Sequence, residues 1–182
     1  MKSNAMTLKL NSAILLFLLL FSACNGTTLS VAAETPKELM NEWIGTWQVE
    51  LKLKKSLLIE EETTIRGTET TSWALNKQFL QSEQSFAGGN YKKLVLIRYD
   101  PDEEIFLFWD FDSNGSFPMG VTRGQWNAEK SEITISGEYF GGATAQGVVR
   151  FIDRDHAEIS LRVMSADGTV LIDVDAKSER SK

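Results

Sequence analysis

The chain has 182 residues, of which 42% are hydrophobic and 24% charged, and its formal net charge is −6 at pH 7. Such an acidic chain is repelled by phosphate backbones and anionic lipid, so we expect no nucleic-acid partner and contact with a membrane only through an attached lipid. About 150 residues remain after the N-terminal segment described next, enough for one domain with its own hydrophobic core.

The first 23 residues have the pattern of an export signal. Two lysines and no acid precede the apolar run from Ala13 to Phe21, which is too short to span a bilayer as an ordinary transmembrane helix. The run Leu20-Phe21-Ser22-Ala23-Cys24 resembles the lipobox of bacterial lipoproteins, whose signal is cut before a cysteine that then carries lipid. We therefore expect a lipoprotein of the bacterial cell envelope. Cleavage after Val31-Ala32-Ala33, which would leave a periplasmic or secreted protein, is the alternative.

Cys24 is the only cysteine of the chain, so no disulfide is expected in the mature protein. Lipid attachment at Cys24 would account for an unpaired thiol in an exported protein. Residues 24–35 are small and polar and are expected to form a flexible tether. Residues 36–182 then form the folded domain.

A short helix followed by a strand is predicted at the start of this domain. Thr35-Pro36-Lys37-Glu38 combines a hydroxyl N-cap, a proline at the first helical position and a glutamate at the third, which is a capping box. Apolar residues from Leu39 to Trp43 lie at helical spacing, and Gly45 is expected to end the helix. From Trp47 to Leu53 every second residue is apolar, which predicts an amphipathic strand that faces a core.

The rest of the domain is predicted to be strands joined by turns, nine or ten strands in all. After the first strand we expect strands over Glu61 to Trp73, Gln78 to Phe86, Tyr91 to Tyr99, Ile105 to Phe111, Phe117 to Trp126 and Glu132 to Phe140, and three more to the C-terminus. Turn residues such as Asp, Asn, Gly and Pro separate them. Sequential hairpins favour an all-β antiparallel barrel over a sandwich, because closing the sheet removes its exposed edges.

Gly45-Thr46-Trp47, placed after a short helix, resembles the Gly-x-Trp signature that opens lipocalins and related calycin barrels. The resemblance implies that Trp47 plugs the closed end of the barrel beneath a basic residue from near the last strand. Arg180 is the candidate for that residue, through stacking of its guanidinium on the indole. Gly45, Trp47 and Arg180 are thus expected to be structural residues of the barrel end; a core tryptophan without this role is the alternative.

Further segments resemble one family over the range Leu39 to Arg180. They are Leu94 to Pro101, with its Tyr-Asp-Pro turn, Phe108 to Ser113, Gly124-Gln125-Trp126, Gly137-Glu138 and Asp167-Gly168. Together they are similar to the lipocalin-like domain of unknown function 1579, which implies a calycin-like barrel and an exported bacterial protein but no established reaction or ligand. The chain departs from the family pattern in the spacing around Trp109 and in having Ser178 where a tyrosine is expected.

No catalytic constellation, metal site or cofactor is predicted. His156 is the sole histidine and lies in an acidic turn, no Gly-x-Ser-x-Gly is present, and a triad, a haem ligand or a zinc site is therefore not expected. Asp110 to Gly115 matches the first half of a calcium loop, but Val121 stands where a bidentate glutamate is needed, so a turn is expected. The pairs Asp153/Asp155 and Asp173/Asp175 are expected to keep a strand edge soluble, with acid and base chemistry as the alternative.

Aromatic residues are the remaining lead to a ligand. Four weak candidates for a binding site are Trp73, Phe108, Trp109 and Trp126. The leading hypothesis is a non-enzymatic barrel that binds a small apolar or amphipathic molecule, for which we expect a cavity of roughly 300 Å³ or more. The alternatives are an envelope protein-interaction module with a filled barrel, and an enzyme with carboxylates at the barrel mouth.

Overall fold

A computed structural model describes residues 35–115 and 119–182. The predicted signal segment 1–23, the predicted lipid-attachment residue Cys24 and all but the last residue of the predicted tether lie outside these ranges. Within the described ranges, no helix has the length and apolar character needed to cross a bilayer.

One short helix, α1 (Pro36–Trp43), opens the domain. Its capping box is as predicted: the Glu38 amide donates to Thr35 Oγ1 at 3.3 Å, and the Thr35 amide donates to Glu38 Oε2 at 3.0 Å. These two bonds satisfy amides that a helix start leaves unpaired. Leu39 and Met40 are buried, so the apolar face of α1 packs onto the barrel.

Ten strands follow, and each pairs antiparallel with the next. Their bounds are β1 Gly45–Lys54, β2 Thr63–Ala74, β3 Phe79–Phe86, β4 Tyr91–Asp100, β5 Ile105–Asp112, β6 Met119–Asn127, β7 Glu132–Glu138, β8 Thr144–Phe151, β9 His156–Met164 and β10 Val170–Arg180. Because β10 also pairs with β1, the sheet closes into a barrel. The predicted antiparallel barrel of nine or ten strands with a short N-terminal helix is confirmed.

The predicted strand bounds differ from those of the structure by up to two residues, as in β7 and β6. The strand predicted over Glu132 to Phe140 ends at Glu138, because residues Phe140–Gly142 form a 3-10 turn in which Gly141 has a φ of 64°. The strand predicted from Phe117 is described from Met119 onward. Neither difference alters which strands pair.

The helix α1 covers one end of the barrel, which we call the helix end. Trp43 meets three aromatic rings of the barrel interior edge-on, with centroid distances of 6.5 Å to Phe106, 6.3 Å to Phe108 and 5.2 Å to Phe151. Edge-to-face contacts of this kind are favourable beyond the area that they bury. The helix end is therefore a packed layer of aromatic rings under α1.

Trp47 and Arg180 are directly opposite one another on β1 and β10 at the helix end. Trp47 is buried and donates its indole N–H to the Trp43 carbonyl at 3.0 Å. The guanidinium carbon of Arg180 lies 4.1 Å from the centroid of the Trp47 ring. Its N–H groups also donate to the carbonyls of Glu42, at the end of α1, and Arg154, in the turn before β9. Arg180 thus ties the helix, that turn and the last strand together.

Candidate functional site

A cavity of about 180 Å³ lies inside the barrel. It is smaller than the roughly 300 Å³ expected from the sequence. Trp43 and Phe108, whose rings contact one another at the helix end, border the cavity from that side. The cavity is nevertheless large compared with a water molecule, so the barrel is only partly filled by its own side chains.

The wall contributed by β2 to β5 carries most of the polar side chains that line the cavity, beside Val95, Ile97 and Phe108, and we call it the polar wall. The register places Glu69 of β2 opposite Gln84 of β3, Gln84 opposite Lys93 of β4, and Lys93 opposite Asp112 of β5. Successive strands lie about 4.8 Å apart, so the backbones of β2 at Glu69 and of β4 at Lys93 are roughly 10 Å apart across the sheet. Four polar side chains therefore form a row around nearly half of the barrel.

Glu69 is held by three neutral donors. Its Oε1 accepts from Thr71 Oγ1 at 3.2 Å and from Ser82 Oγ at 2.9 Å, and its Oε2 accepts from Gln84 Nε2 at 3.1 Å. Thr71 and Ser82 are buried, with 2% and 1% of their surface exposed. In the part of the chain that the structure describes, no lysine or arginine forms an ion pair with Glu69.

Lys93 and Asp110 form an ion pair on the polar wall. Their side chains are 26% and 14% exposed, so the pair is largely withdrawn from solvent. Tyr139, which follows β7, borders the same part of the cavity. Burial, and then the negative charge of Asp110, raise the pKa of Tyr139 to about 12. Its phenol is therefore neutral at pH 7 and able to donate a hydrogen bond.

The wall contributed by β7 to β9 is apolar, and we call it the apolar wall. Its side chains that line the cavity are Ile135, Ala145, Val149, Ala157, Ile159 and Leu161. Two of these are alanines, whose small side chains leave space that larger residues would fill. The cavity is thus amphipathic: its charged side chains lie on the polar wall and the apolar wall supplies hydrocarbon, while Thr122, Tyr139 and Ser178 add hydroxyl groups elsewhere in the lining.

The four aromatic candidates lie in different places. Phe108 borders the cavity. Trp73 donates its indole N–H to Asn41 Oδ1 under α1, and Trp126 packs edge-on against Phe151, so both belong to the helix end. Trp109 lies on the opposite face of β5 from Phe108 and packs against Phe79. The structure therefore brings one of the four to the cavity.

The acidic groups that the sequence singles out have other partners. Asp110 pairs with Lys93 inside the barrel, while Asp112 Oδ1 accepts from the Asn114 amide at 2.8 Å, as in an ordinary turn. Asp153 binds the His156 ring at 2.8 Å in the turn before β9. Asp173 and Asp175 both bind Lys54 on the outside of the barrel. Of these acids, only Asp110 lines the cavity.

Sequence reasoning missed the polar wall, although a signal for it exists. Lys93 is in phase with Tyr91, Val95 and Ile97 at the two-residue period of β4, so a residue that shares the inward face is readable from the sequence. Glu69 is harder to find, because the inward face of β2 carries threonine and glycine beside it. A charged residue that alternates with the inward-facing apolar residues of a strand, at the two-residue period, indicates a polar site inside the barrel.

Solved structures of similar fold include Rv2717c from M. tuberculosis, with a TM-score of 0.62 and 14% identity over 81% of this chain and 99% of that chain. The S-type phycobiliprotein lyase CPES from Guillardia theta matches with a TM-score of 0.59 and 9% identity, over 83% and 95% of the two chains. A protein of unknown function from the DUF3598 family of Nostoc punctiforme has a TM-score of 0.55 and 14% identity, and the match covers 78% of this chain and 49% of that one. At these identities the likeness shows the fold alone.

Sequence comparison defines the family. Among curated proteins, no relative matches the chain. A family model described as "Protein of unknown function (DUF1579)" matches residues 32–180, and this agrees with the resemblance carried by the Gly-x-Trp, Tyr-Asp-Pro and Asp-Gly segments. Since that match extends over most of the sequence, the chain belongs to the DUF1579 family of proteins of unknown function.

Proposed function

We propose that this protein is a non-enzymatic binding protein that holds a small amphipathic molecule inside its barrel. One observation carries the proposal: the interior contains a cavity of about 180 Å³ with a polar wall on one side and an apolar wall on the other. Ligand sites are typically such concave, mostly apolar spaces with a few converging polar groups that orient the ligand. A barrel filled by its own side chains would have no space for a ligand, and charged residues such as Glu69 and Lys93 would be costly to bury inside it.

The volume limits the size of the ligand. An apolar cavity of about 150 Å³ binds one benzene molecule, so a cavity of this size accepts one ring or a short branched chain with a small polar group, about ten non-hydrogen atoms in all. Long fatty acids and macrocycles are too large unless the aromatic layer at the helix end moves. The proposed ligand is therefore smaller than the hydrophobic molecules that larger barrels enclose.

The groups at the cavity support binding better than catalysis. Asp110, whose negative charge contributes to the raised pKa of Tyr139, is paired with Lys93. Glu69 accepts hydrogen bonds from three donors. A general acid or base needs a proton that it can exchange with a substrate, and a nucleophile needs an adjacent base. These side chains instead form a fixed set of charges and hydrogen bonds, which is suited to orienting a bound molecule.

Native mass spectrometry of the full chain, purified from its own host, tests the proposal. We expect a defined extra mass that is lost on denaturation. The variant Val95→Phe adds volume inside the cavity, because Val95 is a buried lining residue, and it should abolish the extra mass. Leu94→Phe makes a similar change at the neighbouring residue on the outer face of β4 and should retain it. A bare polypeptide mass for the unaltered protein, unchanged after incubation with a small-molecule extract of the host, would contradict the proposal.

We further propose that the protein is exported and anchored in the bacterial cell envelope by lipid on Cys24. The apolar run from Ala13 to Phe21 and the lipobox-like segment that ends at Cys24 support this location. The mass of the N-terminal peptide of the mature protein tests it: a lipid-modified Cys24 is expected, and a Cys24→Ser variant should leave the membrane fraction. An unmodified N-terminus after Ala33 would favour ordinary cleavage instead.

A further inference from the structure

We propose that the ligand carries a protonated amine, and that the cavity selects this head group over a carboxylate on the same carbon skeleton. This inference rests on the proposed function, since it concerns the chemistry of the same cavity. It follows from the charges of the polar wall, from the one hydrogen-bonding position that Glu69 leaves open, and from the placement of the apolar wall across the barrel.

The cavity carries a formal negative charge. Among the residues that the structure describes, three charged side chains line it, and of these Lys93 is neutralised by Asp110, with which it forms an ion pair. Glu69 is left with neutral partners only: two hydroxyls and an amide. The net formal charge of the lining is therefore −1.

The hydrogen bonds of Glu69 leave room for one more donor. A carboxylate has about four acceptor positions, two on each oxygen. Thr71 and Ser82 use both positions of Oε1, whereas Gln84 uses one position of Oε2. One position on Oε2 remains, in a row of residues that faces the cavity. An ammonium N–H placed there would form a charge-assisted hydrogen bond, which is about twice as strong as a neutral one.

Binding of an anionic head group at the polar wall is unfavourable. A carboxylate ligand would add a second negative charge near Glu69, in surroundings where charges are poorly screened. Lys93 is the cation among the described lining residues, and to bind the ligand it would first have to give up Asp110, leaving that carboxylate without its partner. Separating a withdrawn ion pair is costly. The polar wall therefore disfavours the head group that fatty acids carry.

The position of the apolar wall fits the rest of such a ligand. In a closed ring of ten strands, β7 is five strands away from β2, so the two lie on opposite sides of the barrel. An amine bound to Glu69 on β2 would direct its carbon skeleton toward Ile135 on β7 and Val149 on β8. The ligand class is thus an arylalkyl or short branched alkyl amine.

The test compares three probes of matched shape: phenethylamine, 2-phenylethanol and phenylacetate. Isothermal titration calorimetry with the full chain at pH 7 should give an affinity for the amine that is higher than that for the carboxylate by about tenfold or more, with the alcohol between them. Glu69→Gln should reduce the affinity for the amine by about tenfold and leave that for the alcohol within about twofold. Glu83→Gln is the matched control, because it removes one negative charge from the outer, exposed face of β3 and should change neither affinity.

The outcomes separate the two proposals. Equal or tighter binding of phenylacetate, or equal binding of amine and alcohol, would overturn the amine inference and leave the binding function standing. The ranking of probes on the unaltered protein decides this even where Glu69→Gln does not fold. If no probe binds, the molecule that co-purifies from the host decides: an amine supports the inference and an anion overturns it. If neither a probe nor a host molecule binds, the proposed function itself fails.

Discussion

Gly45 and Arg180 approach each other so closely that a side chain at residue 45 has no room. A Cβ atom built on Gly45 would lie 2.6 Å from Arg180 Nη1, which donates a hydrogen bond to the Ile44 carbonyl next to it. Gly45 also has a φ of 135°, which L side chains rarely adopt. Glycine is thus required here for two reasons, the backbone conformation and the space that the guanidinium occupies.

Replacing Gly45 with alanine should therefore destabilise the barrel. We expect Gly45→Ala to lower the free energy of unfolding by about 2–3 kcal/mol, through backbone strain and displacement of Arg180. Gly141→Ala is the control: its φ of 64° is also positive, but no atom lies within 4 Å of its added Cβ, and a loss of about 1 kcal/mol is expected. Urea unfolding measures both, and equal losses would show that the contact with Arg180 is unimportant.

Arg180→Lys should weaken the helix end although it conserves the charge. A lysine keeps a cation near Trp47 but cannot supply the planar set of N–H groups that reach the carbonyls of Glu42, Ile44 and Arg154. We expect a loss of about 2–4 kcal/mol in urea unfolding. Arg66→Lys, at a side chain that is 80% exposed and pairs with Glu50, should cost less than about 1 kcal/mol. A loss at residue 180 no larger than that at residue 66 would contradict this account.

Asp173 should make stability fall in acid. Burial raises the pKa of Asp173, but hydrogen bonds from Lys54 and Arg162 together outweigh burial and hold it below the ordinary value. Because the folded-state pKa is lowered, the stabilisation is complete above the unfolded-state value of about 4 and is lost as the pH falls through the folded-state value.

Asp173→Asn should therefore cost about 1–2 kcal/mol at pH 7, and less as the pH falls below about 4. Asp175→Asn is the matched control, since the side chain of Asp175 is 45% exposed, against 13% for Asp173, and it binds the same Lys54. Its effect should be smaller. Unfolding in urea at several pH values measures both, and a cost at residue 173 that is constant down to pH 2 would rule out this ion-pair explanation.

Tyr139 should be the last of the three tyrosines to ionise. Burial, followed by the charge of Asp110, raises the pKa of Tyr139 to about 12. The pKa values of Tyr91 and Tyr99 are also raised, chiefly by burial, but by less. A folded-state pKa above the unfolded value of about 10 means that stability is unaffected below pH 10 and is lost as the pH rises toward 12.

Tyrosinate absorbance during an alkaline titration measures this order. We expect Tyr139→Phe to remove the step near pH 12 and to leave the earlier steps in place. Tyr99→Phe is the control and should leave the last step unchanged. If the absorbance near pH 12 survives in Tyr139→Phe, the burial of Tyr139 beside the polar wall is not as described.

The helix and strands of this fold are predictable from the amino-acid sequence, because their signals are local. The capping box at Thr35 and Glu38 begins α1, and alternation from Trp47 onward marks β1. Turn residues separate the later strands, and strands connected in sequence pair as neighbours, which is enough to predict a closed antiparallel barrel.

The side chains that face the barrel interior depend on how the strands pair. Both faces of β5 carry aromatic residues, so its own sequence does not distinguish them. The pairing of Phe108 with Ile97 of β4 turns Phe108 and Asp110 inward and leaves Trp109 outside. Likewise, Glu69 lies in one row with Gln84 and Lys93 only through the register of three strands. The site depends on contacts between residues distant in sequence, whereas each strand depends on residues two positions apart. The barrel was therefore predictable, while of its polar wall only the inward phase of Lys93 could be read from the sequence.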